Sequence, residues 1–187
     1  ASLDLRNHSV QSHSTQVARY ATDIARRLNL PEGRIEQIRK AALLHDIGKL
    51  AVPDHILNKS APLSAEEYAS IQQHPAIGAA LLERFSSFRC LTAVVLHHHE
   101  HYDGTGYPAG LAGADIPLEA RIVGLADAVE AMASQRPYHP PMPAAAIKNE
   151  LRRCSGTQFD PHIVDAFFAI LERQGDAILV DSAGSFG

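Results

Sequence analysis

The chain has 187 residues, of which 45% are hydrophobic, and its 17 basic and 21 acidic side chains give a formal net charge of −4. This balance provides enough apolar material for the core of one globular domain, and it lacks the basic surplus of a protein that binds DNA or RNA. The longest purely apolar stretches have about six residues, far short of a bilayer-spanning helix, so we expect no insertion into a membrane. The two cysteines, Cys90 and Cys154, show neither metal-site spacing nor a disulfide framework, which favours a reducing, cytoplasmic environment.

Helical periodicity dominates the chain. Apolar residues recur at three- and four-residue steps in most segments, as expected for helices that bury one face. Pro31 suits the start of a helix, and Ser64 with Glu67 forms the pattern of a capping box. Pro75 should kink or split the helix in which it lies. The sequence predicts seven helices, at residues 10–28, 31–44, 64 onward, 88–101, 118–134, 143–154 and 161–174.

One long irregular segment, residues 102–117, interrupts this helical pattern. It contains four glycines, and a loop of this length inside a compact domain is usually functional or disordered. Strand signals are scarce. We therefore predict an all-α bundle of about seven helices with one glycine-rich loop over residues 1–174, and a loosely ordered tail at 175–187. Because the chain begins at Ala1 rather than at methionine, we also expect a regulatory segment upstream.

Histidine and aspartate cluster at the ends of the predicted helices. Five of them follow apolar runs: His45, Asp46, His98, His99 and Asp127. Such groups are expected at buried positions, where an imidazole or a carboxylate must be paired or bound to a metal. Imidazole with carboxylate suits divalent iron, manganese, zinc or nickel, and an aspartate can bridge two cations about 3.5–4 Å apart that hold a hydroxide for attack on phosphorus. Taken singly, however, a histidine on a helix is more often a surface residue or a hydrogen-bonded core residue than a ligand.

The order of the motifs resembles a known family. Residues 45–49, HDIGK, are similar to the HDxGK signature of the HD superfamily, and residues 98–108, HHEHYDGTGYP, are similar to the HHExxDGxGYP signature of HD-GYP domains. Four further phrases are similar to the family's, at residues 74–78, 116–122, 136–138 and 156–161, and all the motifs occur in the family's order. The resemblance covers residues 11–171 and implies a phosphodiesterase that opens the bacterial second messenger cyclic di-GMP to linear pGpG and, in a second step, yields GMP.

The resemblance also implies roles for individual residues. It implies seven ligands for two divalent metal ions, iron or manganese first and nickel or zinc as alternatives: His13, His45, Asp46, His74, His98, His99 and Asp127. Asp46 would bridge the two ions and act in catalysis with Lys49, which would contact the scissile phosphate as a point cation. Tyr107 and Arg136 would hold the substrate. Lys49 and Tyr107 also have plainer interpretations, as a cation favoured at a helix C terminus and as a packing residue.

Several positions depart from the family's pattern or fall outside it. Ser9 stands where members with a third metal carry glutamate, so we expect two metals. Glu130 replaces the aspartate that usually follows the metal-binding one, which is expected to shift a hydrogen bond to a metal ligand. His139 replaces a basic residue, which should weaken binding of a dianionic substrate. His97 is expected to face away from the metals.

Two other functions stay open at this point. A non-catalytic module would bind a cyclic dinucleotide or a partner domain without cleaving it, although the complete ligand set argues against this. A phosphohydrolase acting on another nucleotide is disfavoured by the loop around Tyr107. The expected partners are a cyclic dinucleotide, an upstream receiver or sensor domain and diguanylate cyclase-type proteins.

Overall fold

The computed structural model describes residues 2–59, 61–135 and 140–179. Within these ranges the chain forms nine α-helices: α1 (Ser2–Arg27), α2 (Glu32–Leu44), α3 (Asp54–Leu57), α4 (Ala65–Ile71), α5 (His74–Glu83), α6 (Thr92–His97), α7 (Leu118–Ala133), α8 (Ala144–Cys154) and α9 (Pro161–Gln174). Three 3₁₀ turns lie between these helices, at Ile47–Ala51, Ser86–Leu91 and Gly113–Asp115, and a fourth, Asp176–Leu179, follows α9. The same residues contain two isolated β-bridges and no strand. The predicted all-α fold is confirmed.

Local chemistry explains where the helices differ from the prediction. The predicted third helix is split into α4 and α5, with Pro75 in the first turn of α5, where its missing N–H costs nothing. Ser64 and Glu67 form the predicted capping box at the start of α4. The predicted fourth helix is shorter than expected, because its first turn is 3₁₀ and α6 ends at His97. The split and the short α3 raise the number of helices above seven.

The core lies between α1, α2, α7 and α9. α1 packs against α2, α7 and α9, and its Tyr20 ring meets Phe167 of α9 edge to face at 6.0 Å. Ile24, Ile38 and Ile122 are fully buried between these helices. Because full burial of such a side chain contributes about 1.5–3 kcal/mol, this core fixes the helices whose ends carry the predicted site residues.

The residues after α9 return to α1. The hydroxyl of Tyr20 and the guanidinium of Arg19 donate hydrogen bonds of 2.8 and 2.9 Å to the backbone carbonyl of Ile178. Residues 180–187 lie outside the described part of the chain, so the predicted division at 174/175 stays a prediction. None of the helices within the described residues has both the length and the apolar composition that a membrane span requires.

Glycines allow the elements around the site to touch backbone to backbone. A Cβ atom on Gly48 would lie 1.9 Å from the carbonyl oxygen of His74 and 2.6 Å from the amide nitrogen of Gly78. A Cβ atom on Gly124 would lie 2.6 Å from the carbonyl oxygen of His98. The turn after α2 therefore rests directly on α5, and α7 rests on the end of α6.

The glycine-rich loop is held by the segment that precedes α9. The amide of Asp103 donates a 2.8 Å hydrogen bond to the carbonyl of Thr157. Arg121 of α7 forms an ion pair with the buried carboxylate of Asp160, the N-cap of α9, and donates a 3.0 Å hydrogen bond to the carbonyl of Ile116. Both ends of the loop are thus attached to the bundle.

Candidate metal centre

The structure brings the seven predicted ligand residues together into two adjoining groups. The first group consists of His13, His45 and Asp127, and the second group of Asp46, His74, His98 and His99. Within each group the candidate ligand atoms all lie within 4.8 Å of one another. The side chains converge from α1, α5, α7 and the turns that follow α2 and α6. The spatial convergence expected from the motifs is therefore present.

Asp46 lies between the two groups. Its Oδ2 atom is 3.5 Å from Nε2 of His45 and 3.8 Å from Nε2 of His13, in the first group. Its Oδ1 atom is 3.3 Å from Nε2 of His74, in the second group. One carboxylate thus presents a different oxygen to each group, an arrangement suited to a ligand that bridges two cations.

Three of the histidines are oriented in the same way. The Nδ1 atoms of His45, His74 and His98 each donate a 2.7 Å hydrogen bond to the backbone carbonyl three residues earlier in the chain. This contact directs each Nε2 atom into the cluster. Histidines that bind metals commonly donate their other ring N–H to a carbonyl or carboxylate in this manner.

Several buried atoms of the cluster have no hydrogen-bond partner among the described residues. They are the Nε2 atoms of His45, His74 and His98 and the Oδ1 atom of Asp46. Leaving such an atom unpaired costs about 1–3 kcal/mol, so four of them in one place would oppose folding. Divalent cations would satisfy these nitrogen and oxygen donors together, and the residues present fit such a group.

The electrostatics of the cluster also suit metal binding. Burial lowers the pKa of His98 well below its usual value, and burial lowers that of His99 to about 4, so that both rings are neutral near pH 7. Burial alone would raise the pKa of Asp46, but its interactions with His45, His74 and Lys49 outweigh burial and hold that pKa well below its usual range. Neutral imidazole and ionised carboxylate are the forms that bind cations.

His13 behaves differently from the other rings. Burial alone lowers its pKa, but the hydrogen bond to Glu130 and the charges of Asp127 and Asp46 outweigh burial and raise the pKa above its usual value. The Nε2 atom of His13 lies 3.5 Å from Oδ1 of Asp127. Its Nδ1 atom forms a short contact with Glu130, the residue noted as a departure from the family's pattern.

Two of the three predicted substrate-contacting residues, Lys49 and Tyr107, lie beside the cluster. Nζ of Lys49 is 2.6 Å from Oδ2 of Asp46, and its side chain is 38% exposed, so one ammonium group faces both Asp46 and solvent. The ring of Tyr107 lies against His99, with 4.9 Å between ring centroids. Burial raises the pKa of the Tyr107 phenol, which therefore stays protonated. Arg136 and His139 fall outside the described residues.

Glu100 is a residue whose role the sequence motifs did not reveal. Its buried carboxylate accepts hydrogen bonds of 2.8 Å from the amide of Ala109 and 3.1 Å from that of Leu111. His97 approaches the same carboxylate at 3.3 Å and lies outside both ligand groups, as expected. The signal was present in the motif, because a carboxylate follows two candidate ligands directly. Its role as an acceptor for the loop amides is visible only in the folded structure, where the glycine-rich loop returns to Glu100.

The protein is thus all-α within the described residues, and its cluster of histidines and aspartates has the composition of a metal-binding site. The model of the HD domain family matches residues 2–163. The chain belongs to the HD domain family, and its glycine–tyrosine–proline loop places it with the HD-GYP proteins. HD-domain phosphohydrolases are metal-dependent, in agreement with the two ligand groups.

Comparison with individual proteins agrees with this assignment. The chain is 37% identical over 169 residues to a cyclic di-GMP phosphodiesterase of Thermotoga maritima, covering 89% of this chain and 46% of that protein. It is 35% identical over 165 residues to 3'3'-cGAMP-specific phosphodiesterase 2 of Vibrio cholerae, covering 87% and 32%. A solved HDG"Y"P protein from Bdellovibrio bacteriovorus shares the fold, with a TM-score of 0.70, 22% identity and coverage of 87% and 52%. The chain spans less than half the length of the two curated relatives.

Proposed function

We propose that this chain is a metal-dependent phosphodiesterase domain that hydrolyses cyclic di-GMP to linear pGpG and, in a second step, to GMP. The observation that carries this proposal is the position of Asp46, whose two oxygens face two separate groups of histidine nitrogens. A site for one structural cation would not need a carboxylate between two ligand groups. The name of the Thermotoga maritima relative supports the same substrate.

The proposal assigns one cation to each ligand group. His13, His45 and Asp127 would hold the first, His74, His98 and His99 would hold the second, and Asp46 would contact both. Iron or manganese suits this mixture of imidazole and carboxylate best, and nickel or zinc are the alternatives. When bound, the pair would offset the charge of the phosphodiester and lower the pKa of the attacking water.

The chain's own residues would align and stabilise the phosphodiester. Hydrolysis adds water to phosphorus and breaks the bond to the 3′ oxygen, which takes up a proton, so that the product carries a 5′ phosphate. The ammonium of Lys49 lies beside Asp46 and is partly open to solvent, so it would face the phosphate oxygens as negative charge develops. Tyr107, a residue of the loop whose phenol is protonated, would donate a hydrogen bond from its hydroxyl to the substrate. We also assign Arg136 to the substrate, as a second cation.

A second cyclic dinucleotide has independent support. The Vibrio cholerae relative is named for 3'3'-cGAMP, which differs from cyclic di-GMP in one base. The ligand groups, Asp46 and Lys49 would act on the phosphodiester and not on the bases. We therefore propose cyclic di-GMP as the first substrate and 3'3'-cGAMP as its competitor.

The cellular setting follows from the substrate. Cyclic di-GMP is an internal messenger, so we propose a cytoplasmic location for this domain. We further propose that the rest of the protein contains a receiver or sensor domain and that the protein acts alongside diguanylate cyclases. Both proposals are compatible with the greater length of the curated relatives.

A cleavage assay with matched variants tests the proposed function. Protein loaded with Mn²⁺ or Fe²⁺ would be incubated with cyclic di-GMP, 3'3'-cGAMP and simple nucleotides, and products separated by chromatography. We expect pGpG from cyclic di-GMP, loss of at least about 10³-fold of the rate in Asp46→Ala, and a normal rate in Asp165→Ala, which alters an exposed aspartate of α9. Binding without cleavage by the loaded wild-type chain would contradict the proposal and favour the non-catalytic module.

A further inference from the structure

The hydrogen bonds to the histidine Nδ1 atoms point to a residue with an unassigned role. His45 and His98 directly follow α2 and α6, and His74 comes three residues after the end of α4. The last carbonyls of a helix have no amide partner within it, so they are free to accept from an imidazole. The carbonyls of Ala42, Ile71 and Val95 do so, at 2.7 Å each.

His13 cannot use the same arrangement. It lies in the interior of the 26-residue helix α1, where the carbonyls one turn earlier accept hydrogen bonds from amides of the helix itself. A ring at this position therefore needs an acceptor from a different element. α7 supplies it, because Nδ1 of His13 donates a short hydrogen bond to Oε2 of Glu130.

Glu130 is built into α7 as a fixed acceptor. It is only 4% exposed, and its other carboxylate oxygen accepts a short hydrogen bond from the hydroxyl of Ser134, one turn later in the chain. Asp127 lies one turn earlier and faces Nε2 of His13 at 3.5 Å. Two carboxylates of one helix thus contact opposite nitrogens of one ring, and their spacing in the sequence matches one face of that helix.

We propose that Glu130 is a positioning residue, which keeps the hydrogen of His13 on Nδ1 and thereby holds the Nε2 lone pair toward the first ligand group. The inference rests on the proposed function, because it presumes that the first group holds a cation. It assigns to Glu130 the role that backbone carbonyls perform for the other three rings. Since the hydrogen bond of Glu130 goes to a ligand of the first group, its loss should affect the two cations unequally.

Calorimetric titration with Mn²⁺ measures the affinity of each of the two cation sites and so tests whether loss of Glu130 weakens only one of them. The chelator-stripped wild-type chain, Glu130→Gln and Glu119→Gln would be titrated side by side. Glu119→Gln is a matched control, because it makes the same substitution on α7 and removes an ion pair with Arg34. We expect wild type and the control to bind two Mn²⁺ ions, and Glu130→Gln to bind one of them about 10–100-fold more weakly with the other unchanged.

Failure of the inference and failure of the proposed function give different results. Absence of Mn²⁺ binding by the wild-type chain would defeat the proposed function. Two bound Mn²⁺ ions in wild type, with both affinities unchanged in Glu130→Gln or both reduced by the same factor, would overturn the inference alone.

A measurement on the unaltered chain covers the case in which Glu130→Gln does not fold. Nitrogen-15 NMR of the metal-free wild-type protein, recorded at a pH high enough for the His13 ring to be neutral, reports which ring nitrogen carries the hydrogen. We expect the hydrogen on Nδ1. A neutral ring with its hydrogen on Nε2 would overturn the inference, because that nitrogen would then have no lone pair to offer.

Discussion

Glu100 links the ligand groups to the glycine-rich loop. It follows His98 and His99 directly, and its carboxylate accepts from the amides of Ala109 and Leu111, on the far side of Tyr107. A loop that extends from a helical bundle stays in one conformation only if contacts of this kind offset the conformational entropy lost on ordering it. This carboxylate therefore couples the position of Tyr107 to that of the histidines.

Substitution of Glu100 by Gln should separate substrate binding from metal binding. A glutamine keeps one acceptor oxygen but places a buried NH₂ group against a backbone amide, at a cost of about 1–3 kcal/mol. We expect a KM for cyclic di-GMP raised about tenfold, with kcat and metal content close to those of wild type. The control is Glu119→Gln, and a loss of metal equal to the loss of activity would contradict this role.

Asp23 of α1 gives a prediction for pH. Burial raises the pKa of its carboxyl, although the charges of Arg19, Arg26 and Arg173 act in the opposite direction. The folded chain then holds the proton more tightly than the unfolded chain, so ionised Asp23 opposes folding at neutral pH, and this penalty disappears as the pH falls through the folded and then the unfolded pKa. Asp23→Asn should raise the urea midpoint at pH 7 and raise it less at pH 4. An equal rise of the urea midpoint at pH 7 and pH 4 would contradict a raised pKa of Asp23.

At the scale of the elements, the turn after α2 and the start of α5 touch through glycine. Gly48→Ala would place a Cβ atom 1.9 Å from the carbonyl oxygen of His74, which would force the turn and α5 apart and cost at least about 1–3 kcal/mol. Gly33→Ala is the matched control, because Gly33 lies in α2 where an added methyl group would meet no atom within 4 Å, and alanine there should stabilise the helix by about 0.5–1 kcal/mol. Thermal unfolding of the metal-free proteins should show a lower Tm for the first and a higher Tm for the second. Equal changes of Tm in Gly48→Ala and Gly33→Ala would contradict the close packing of Gly48 against α5.

The helices were predictable to different degrees from their local sequences. α7 and α9 agree with prediction within one residue, because Pro117 and Asp160 precede them and their apolar faces are continuous. α6 was predicted too long at both ends, because nothing in the local pattern distinguishes the preceding 3₁₀ turn from α-helix or marks the end of the helix at His97. α3 has only four residues, Asp54–Leu57, too few for helical periodicity to appear.

At the scale of the whole molecule, the motifs predicted which side chains meet but not how each is oriented. His13 and Asp127 are 114 positions apart in sequence, so only resemblance to a family indicated their proximity. The carbonyl contacts of His45, His74 and His98 depend on where helices end, which local sequence specifies poorly. The contact of His13 with Glu130 depends on the packing of α1 against α7, and no local pattern contains it.

Removal of metal should lower the stability of the whole bundle. The ligand groups join α1, α5, α7 and the turns after α2 and α6, so a cation that binds them stabilises the folded state but not the unfolded chain. At a free metal concentration about 100-fold above its Kd, one cation adds about 2.7 kcal/mol. Wild type and Asp165→Ala should therefore lose several degrees of Tm on chelation, whereas Asp46→Ala should lose much less. Identical Tm values with and without chelator in wild type would contradict this prediction.

The central claim is that two cations lie on either side of Asp46. Elemental analysis of chain purified under anaerobic conditions without chelator tests it most directly, with Asp46→Ala prepared in parallel. The account predicts close to two equivalents of iron, manganese or a related divalent metal in wild type, and far less in the variant. Folded wild-type protein that contains only traces of such metals, even after incubation with Fe²⁺ or Mn²⁺, would contradict it.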